Sequence, residues 1–189
     1  MATVTTGTIG TINGIDTEAL GRLVGEIKRD FRKGIAGFRV ATQWKGGMRS
    51  DTEVESWSLG GQRVPHRFTV KIDEPRELCG SDQFANPQEY LMASMNACML
   101  NTFVAVCALQ GVELESLVFE SEGELDLRGF LGIDTSVKPG YDELRYTIRV
   151  KGNGTPEQYE KAHQAMQSLS PNYYNIANGI RLRSTVIAE

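Results

Sequence analysis

Residues 86–110, "NPQEYLMASMNACMLNTFVAVCALQ", constrain the fold more than any other stretch. Pro87 suits the first turn of a helix, and Gly111 suits its end. Between them Tyr90, Leu91, Met92, Ala93, Met95, Ala97, Met99, Leu100, Phe103, Val104 and Val106 leave no polar face. A helix of that kind is expected to be buried on all sides. In a chain of 189 residues this means a central helix wrapped by sheet, or by sheet plus a second copy. No run reaches the roughly 18 uncharged apolar residues of a membrane span. Residues 90–109 carry Ser94, Asn96, Asn101 and Thr102, and read as a core helix.

The flanks supply the sheet. "FRVATQWKGG", "MRSDTEVESW" and "RFTVKIDEP" alternate apolar and polar residues with turns between them, as half-buried antiparallel strands do. "LESLVFESEGELDL" and "ELRYTIRVKG" repeat the pattern around a long connection, "RGFLGIDTSVKPG". "TPEQYEKAHQAMQSL" is a predicted helix with Thr155 as cap and Pro156 in its first position. "SPNYYNIANG" is expected to stop it, and "IRLRSTVI" to form a last strand. Near the start, Asp16 caps a predicted helix to about Lys33, with Leu20, Leu23, Val24, Ile27 and Phe31 on one face. The plan is α+β, not the βαβ alternation of a doubly wound fold. The expected organisation is an arm and amphipathic helix over residues 1–36, then one domain over 37–189.

Composition excludes several classes. Net charge is −4 and the basic residues are scattered, so neither nucleic acid nor a membrane surface is an expected partner. The first ten residues, "MATVTTGTIG", lack the basic start and apolar run of a signal peptide, so a cytoplasmic location is expected. "GTIGTING" lacks the spacing of a dinucleotide loop. With three cysteines, no CxxC and two histidines, neither a metal site nor any other cofactor is expected. His66 and His163 stand in no nucleophile motif.

The thiols differ in setting. Cys98 lies deep inside the central helix, where a cysteine is usually filler. Cys107 is nine residues on, on the opposite face and about 13 Å along the axis. The two cannot form a disulfide within one intact helix. Cys107 is therefore assigned to the core, and Cys79 to a loop from which it can reach elsewhere.

Taken in order, the loop "RELCGSDQFANP", the helix start "PQE", Cys98 nine residues beyond Glu89, the exit "GVEL" and the late turn "SPNYYN" resemble the OsmC family, which includes the organic hydroperoxide resistance proteins. The likeness runs over about residues 38–187. It implies antiparallel sheets wrapped around central helices in an intertwined homodimer, with an extra N-terminal helix in this chain. It also implies a thiol-dependent peroxidase. Cys98 matches the cysteine that attacks the peroxide, and Arg49, in "KGGMRS", matches the arginine that polarises the thiolate. A nine-residue glutamate–cysteine spacing, the one that fits the broader family, places the acid at Glu89. A ten-residue spacing places it at Gln88, where it would be missing.

The second cysteine of the two-cysteine members is replaced by Ser170. Oxidised Cys98 would then be resolved by Cys79, by a partner thiol or by a small thiol. Three functions follow as expectations. The first is a one-cysteine peroxidase acting on organic hydroperoxides or hydrogen peroxide. The second is a binder that holds an apolar or thiol-reactive ligand among Met95, Met99, Phe103 and Tyr173. The third is another thiol reaction, such as sulfur-group transfer or thioester chemistry.

Overall fold

The computed structural model describes residues 11–188. Residues 1–10 of the predicted arm, with the first half of "GTIGTING", lie outside the described residues. The backbone forms two compact units that divide between Leu91 and Met92.

In the first unit a small hairpin, β1 (Thr11–Ile12) and β2 (Ile15–Asp16), leads into helix α1 (Thr17–Arg29). Asp16 caps α1 as the sequence predicts, its carboxylate accepting from Ala19 N at 2.8 Å. The helix ends four residues earlier than Lys33. A second acidic cap, Asp30, accepts from Arg32 N and starts a 3₁₀ turn over Phe31–Gly34. Strands β3 (Ala36–Phe38) and β4 (Ala41–Trp44) follow one another along one edge of β5 (Ser50–Leu59), β3 against Trp57–Leu59 and β4 against Ser50–Glu53, and β6 (Gln62–Ile72) pairs with its other edge. All pairings are antiparallel. The β5–β6 register shifts between Val54 and Ser56, and Pro65 sits opposite Ser56. An irregular step is where a strand tolerates a residue with no N–H.

Helix α2 (Pro87–Leu109) follows. By length and composition alone it could cross a membrane. Within the chain only one stripe of it is buried: Met95, Met99, Phe103, Cys107 and Ala108. Leu91, Ala93 and Ala97 stay exposed, so the all-round burial expected from its composition is not met by one chain.

In the second unit the buried stripe lies on a hairpin of β7 (Leu114–Glu122) and β8 (Arg145–Gly152). Every second residue of β8 turns inward, with Tyr146, Ile148 and Val150 half-buried and Arg145, Arg149 and Lys151 exposed. The connection between the strands holds one short helix, α3 (Leu127–Phe130). Helix α4 (Pro156–Leu169) starts with a reciprocal cap, in which the Thr155 hydroxyl takes the N–H of Gln158 and the Gln158 side chain takes that of Thr155. Phe103, Cys107, Val112 and Ala162 form one core cluster, and Met95, Met99 and Met166 form another.

Two expectations are corrected here. "SPNYYNIANG" does not simply stop α4: after Ser170 the chain turns into helix α5 (Pro171–Asn178), because proline is as good a first residue as it is a poor interior one. Residues 180–187, read as a last strand, have no regular structure and are exposed. Their alternation is that of a strand, but no strand edge within the described chain pairs with them.

Candidate functional site

The loop after β6 is built around one carboxylate. Asp73 is fully buried and accepts from Glu74 N at 2.8 Å, Ser81 N at 3.2 Å, Ser81 Oγ at 2.6 Å and Gln83 N at 3.2 Å. These bonds, led by that of the Ser81 hydroxyl, hold its carboxyl at about 2. Gly80 passes so close to Glu74 that a Cβ would lie 1.7 Å from that carbonyl oxygen, so no other residue fits. Just before it, Cys79 ends a 3₁₀ turn (Arg76–Leu78) in the left-handed region, at φ 64°, with its side chain exposed.

Arg49 stands at the other wall. The turn from β4 to β5 is closed by Lys45 N to Arg49 O at 2.9 Å and Arg49 N to Gly46 O at 3.2 Å. Arg49, Met48, Asp73, Cys79, Ser81 and Gln83 line one cleft of about 510 Å³. No described residue of its own unit forms an ion pair with the Arg49 guanidinium. Arg49 and Cys79 are thus brought together, a pairing the sequence did not suggest.

Glu89 lies in the first turn of α2 and is exposed. Its Oε2 accepts from Asn86 N at 2.7 Å, and Asn86 Oδ1 accepts from Glu89 N at 2.9 Å, a second reciprocal cap. Burial, with the negative charges of Asp73 and Glu89, raises the carboxyl of neighbouring Glu74. Gln88 is exposed. On one straight helix the nine residues from Glu89 to Cys98 make two and a half turns, so the two side chains leave opposite faces.

Cys98 is half-buried at the border of the buried stripe, and its carbonyl accepts from the Thr102 hydroxyl at 2.9 Å. Cys107 is buried, and burial pushes its thiol up. Met95, Met99 and Phe103 are buried in the core, and Tyr173 packs against the methionines. Ser170 is fully buried between α4 and α5, and its hydroxyl has no hydrogen-bond partner among the described residues. Asn172 Nδ2 donates to Ser94 O at 2.9 Å, tying the first turn of α5 to the turn of α2 before Cys98.

The model of the family described as OsmC-like protein matches residues 80–185, more than half of the chain. The chain belongs to the OsmC-like family. Solved members share its fold. An OsmC-like protein from Mycoplasma pneumoniae is 10% identical with a TM-score of 0.57, over 75% of this chain and 88% of that one. An OsmC-like protein of unknown function from Vibrio cholerae is 16% identical with a TM-score of 0.51, over 75% and 94%. Among curated proteins the chain is similar to the uncharacterized protein YmaD of Bacillus subtilis, 29% identical over 86 residues, which are 46% of this chain and 51% of that one. The chain therefore spans about half the length of that relative.

Asp73, Asn86 and Asn172 escaped sequence reasoning. The available signals were an acidic residue ahead of a Gly–Ser–Asp turn, an asparagine three residues before a helical glutamate, and an asparagine after a Ser–Pro step.

Proposed function

We propose that this OsmC-like protein is a thiol-dependent peroxidase with Cys98 as its single nucleophile. The half-buried position of Cys98 on the helix shared with the family carries the reading, since Cys107 on the same helix is buried. The Cys98 thiolate attacks the distal oxygen of a hydroperoxide. The O–O bond breaks, Cys98 becomes a sulfenic acid, and the alkoxide takes a proton to leave as the alcohol. Arg49 stabilises the thiolate and the developing negative charge. The second carboxylate oxygen of Glu89 orients Arg49 while the first caps the helix. A thiol reductant then condenses with the sulfenic acid, releasing water, because Ser170 cannot.

The active form is a homodimer of the domain over residues 37–189. Its support is the apolar surface that one chain leaves open: Leu91 of α2, and Ile180, Leu182, Val186 and Ile187 of the unpaired end. The test is stopped-flow oxidation by cumene hydroperoxide with mass spectrometry of Cys98. A sulfenic acid forming at Cys98 within one turnover is expected; a Cys98 that stays reduced in excess peroxide ends the proposal.

A second reading, a non-enzymatic binder on the same scaffold, is favoured by the serine at position 170. Ligand recovered by native mass spectrometry and held equally by a Cys98→Ser variant would select it.

A further inference from the structure

The second unit holds a further cleft that shares no lining residue with the one around Arg49 and Cys79. It lies between β8 and α4 and has a volume of about 310 Å³, at the small end of ligand sites. Phe103, Tyr146, Ile148, Val150, Pro156 and Tyr159 make its walls, and Glu160 and His163 also line it.

The polar side of this cleft is ordered by a chain of hydrogen bonds in which each group can be satisfied by the next. Gln167 Nε2 donates to the Tyr146 hydroxyl at 3.1 Å. That hydroxyl has one hydrogen, and Nε2 of His163 lies 2.9 Å away to receive it. In the arrangement in which Nε2 accepts, the ring carries its own hydrogen on Nδ1. A T-shaped contact with Tyr146 fixes the ring plane. Glu160 Oε2 lies 3.8 Å from Nδ1, beyond hydrogen-bond reach, while Oε1 is held by Gln164 Nε2 at 2.9 Å. On the other wall, Tyr159 already accepts from Gly154 N at 3.0 Å.

A donor and a carboxylate oxygen thus stand at the rim of an apolar cleft, too far apart to satisfy each other. One group answers both. A hydroxyl oxygen accepts from Nδ1–H while its hydrogen goes to Glu160. A carboxylate would meet the charge of Glu160, an ammonium would leave Nδ1–H unanswered, and a hydrocarbon would leave both.

We propose that the β8–α4 cleft binds a small alcohol with a branched or aromatic body, its hydroxyl bridging His163 and Glu160. An alcohol is also what peroxide reduction would release, so the physiological source rests on the function proposed above. The binding itself does not.

The test titrates full-length Cys98→Ser protein with 2-phenylpropan-2-ol, following His163 and Tyr159 ring signals by NMR, with isopropylbenzene as control. No peroxide is present, so failed binding leaves the peroxidase reading standing, and failed peroxide turnover leaves this site standing. Saturable shifts at both rings are expected, with binding weakened about tenfold or more for the hydrocarbon and for Glu160→Ala. Glu160 is exposed, so that variant is expected to fold; His163→Leu should weaken binding as much. Shifts that do not saturate, as for a site that holds water alone, would overturn the proposal. So would equal affinity for the hydrocarbon, or indifference to Glu160→Ala.

Discussion

Asn172 reaches 78 residues back along the chain to bond the carbonyl oxygen of Ser94, one helical turn before Cys98. Helix α5 is short, and its first residue cap makes no side-chain bond, so this tie and the packing of Tyr173 hold it in place. Replacing Asn172 by alanine is expected to cost about 1 kcal/mol in a urea melt. It should also slow peroxide oxidation of Cys98 in stopped-flow traces. Unaltered stability would mean that the bond does not hold the helix.

Ser170 is a buried hydroxyl with no hydrogen-bond partner among the described residues, a condition that costs roughly 1–3 kcal/mol. Ser170→Ala is therefore expected to be neutral or more stable, by up to about 1 kcal/mol, in thermal unfolding. Ser170→Cys should be accommodated, since sulfur needs no partner there. On the proposed chemistry, one equivalent of hydroperoxide then yields an internal disulfide with Cys98, read as the corresponding mass loss. The native chain would instead stop at the sulfenic acid.

Asp73 links the loop to pH. Its carboxyl titrates at about 2 in the folded chain, below the roughly 3.9 of an unfolded aspartate. The folded state thus binds fewer protons across that interval, and the stabilisation is fully present above the unfolded value. It is lost as pH falls from about 4 to about 2. Acid unfolding followed by circular dichroism should show a loss in that window that Asp73→Asn lacks, the variant being less stable at neutral pH. Parallel acid curves for the two proteins would count against Asp73 as the hub.

Glu89 carries two roles that alanine would remove together. Glutamine keeps the acceptor for Asn86 N and deletes the charge. Glu89→Gln is therefore expected to melt within about 0.5 kcal/mol of the native chain while peroxide turnover falls about tenfold or more. A large loss of stability in Glu89→Gln would show that the charge, and not the acceptor, serves the helix start.

Much of the fold was legible where local chemistry decides it. Asp16, Pro87 and Thr155–Pro156 mark the starts of α1, α2 and α4 because a cap satisfies N–H groups within a few residues of itself. The strand segments were legible through their period of two. What depends on distant partners was not. Residues 180–187 alternate like a strand, yet a strand exists only beside another, and pairing is not written in the segment itself. The composition of α2 predicts burial on all sides, whereas the chain covers one stripe of it. Cys98, Arg49 and Glu89, on which the proposed function rests, were named through the family resemblance. The Asp73 hub, the orphaned hydroxyl of Ser170 and the Asn172 tie are visible only once the chain is folded, because each joins residues whose spacing carries no signature.

The left-handed backbone at Cys79 has a practical consequence for anyone probing this protein with thiol reagents. Its sulfur is exposed where Cys98 is half covered and Cys107 is buried, so a bulk thiol titration will report the loop first and the central helix later. A clean reporter for Cys98 needs that background silenced. At a positive φ the usual serine replacement would keep a strained backbone, whereas asparagine adopts this conformation more readily. Cys79→Asn is accordingly the quieter parent for fluorophore attachment and single-thiol kinetics.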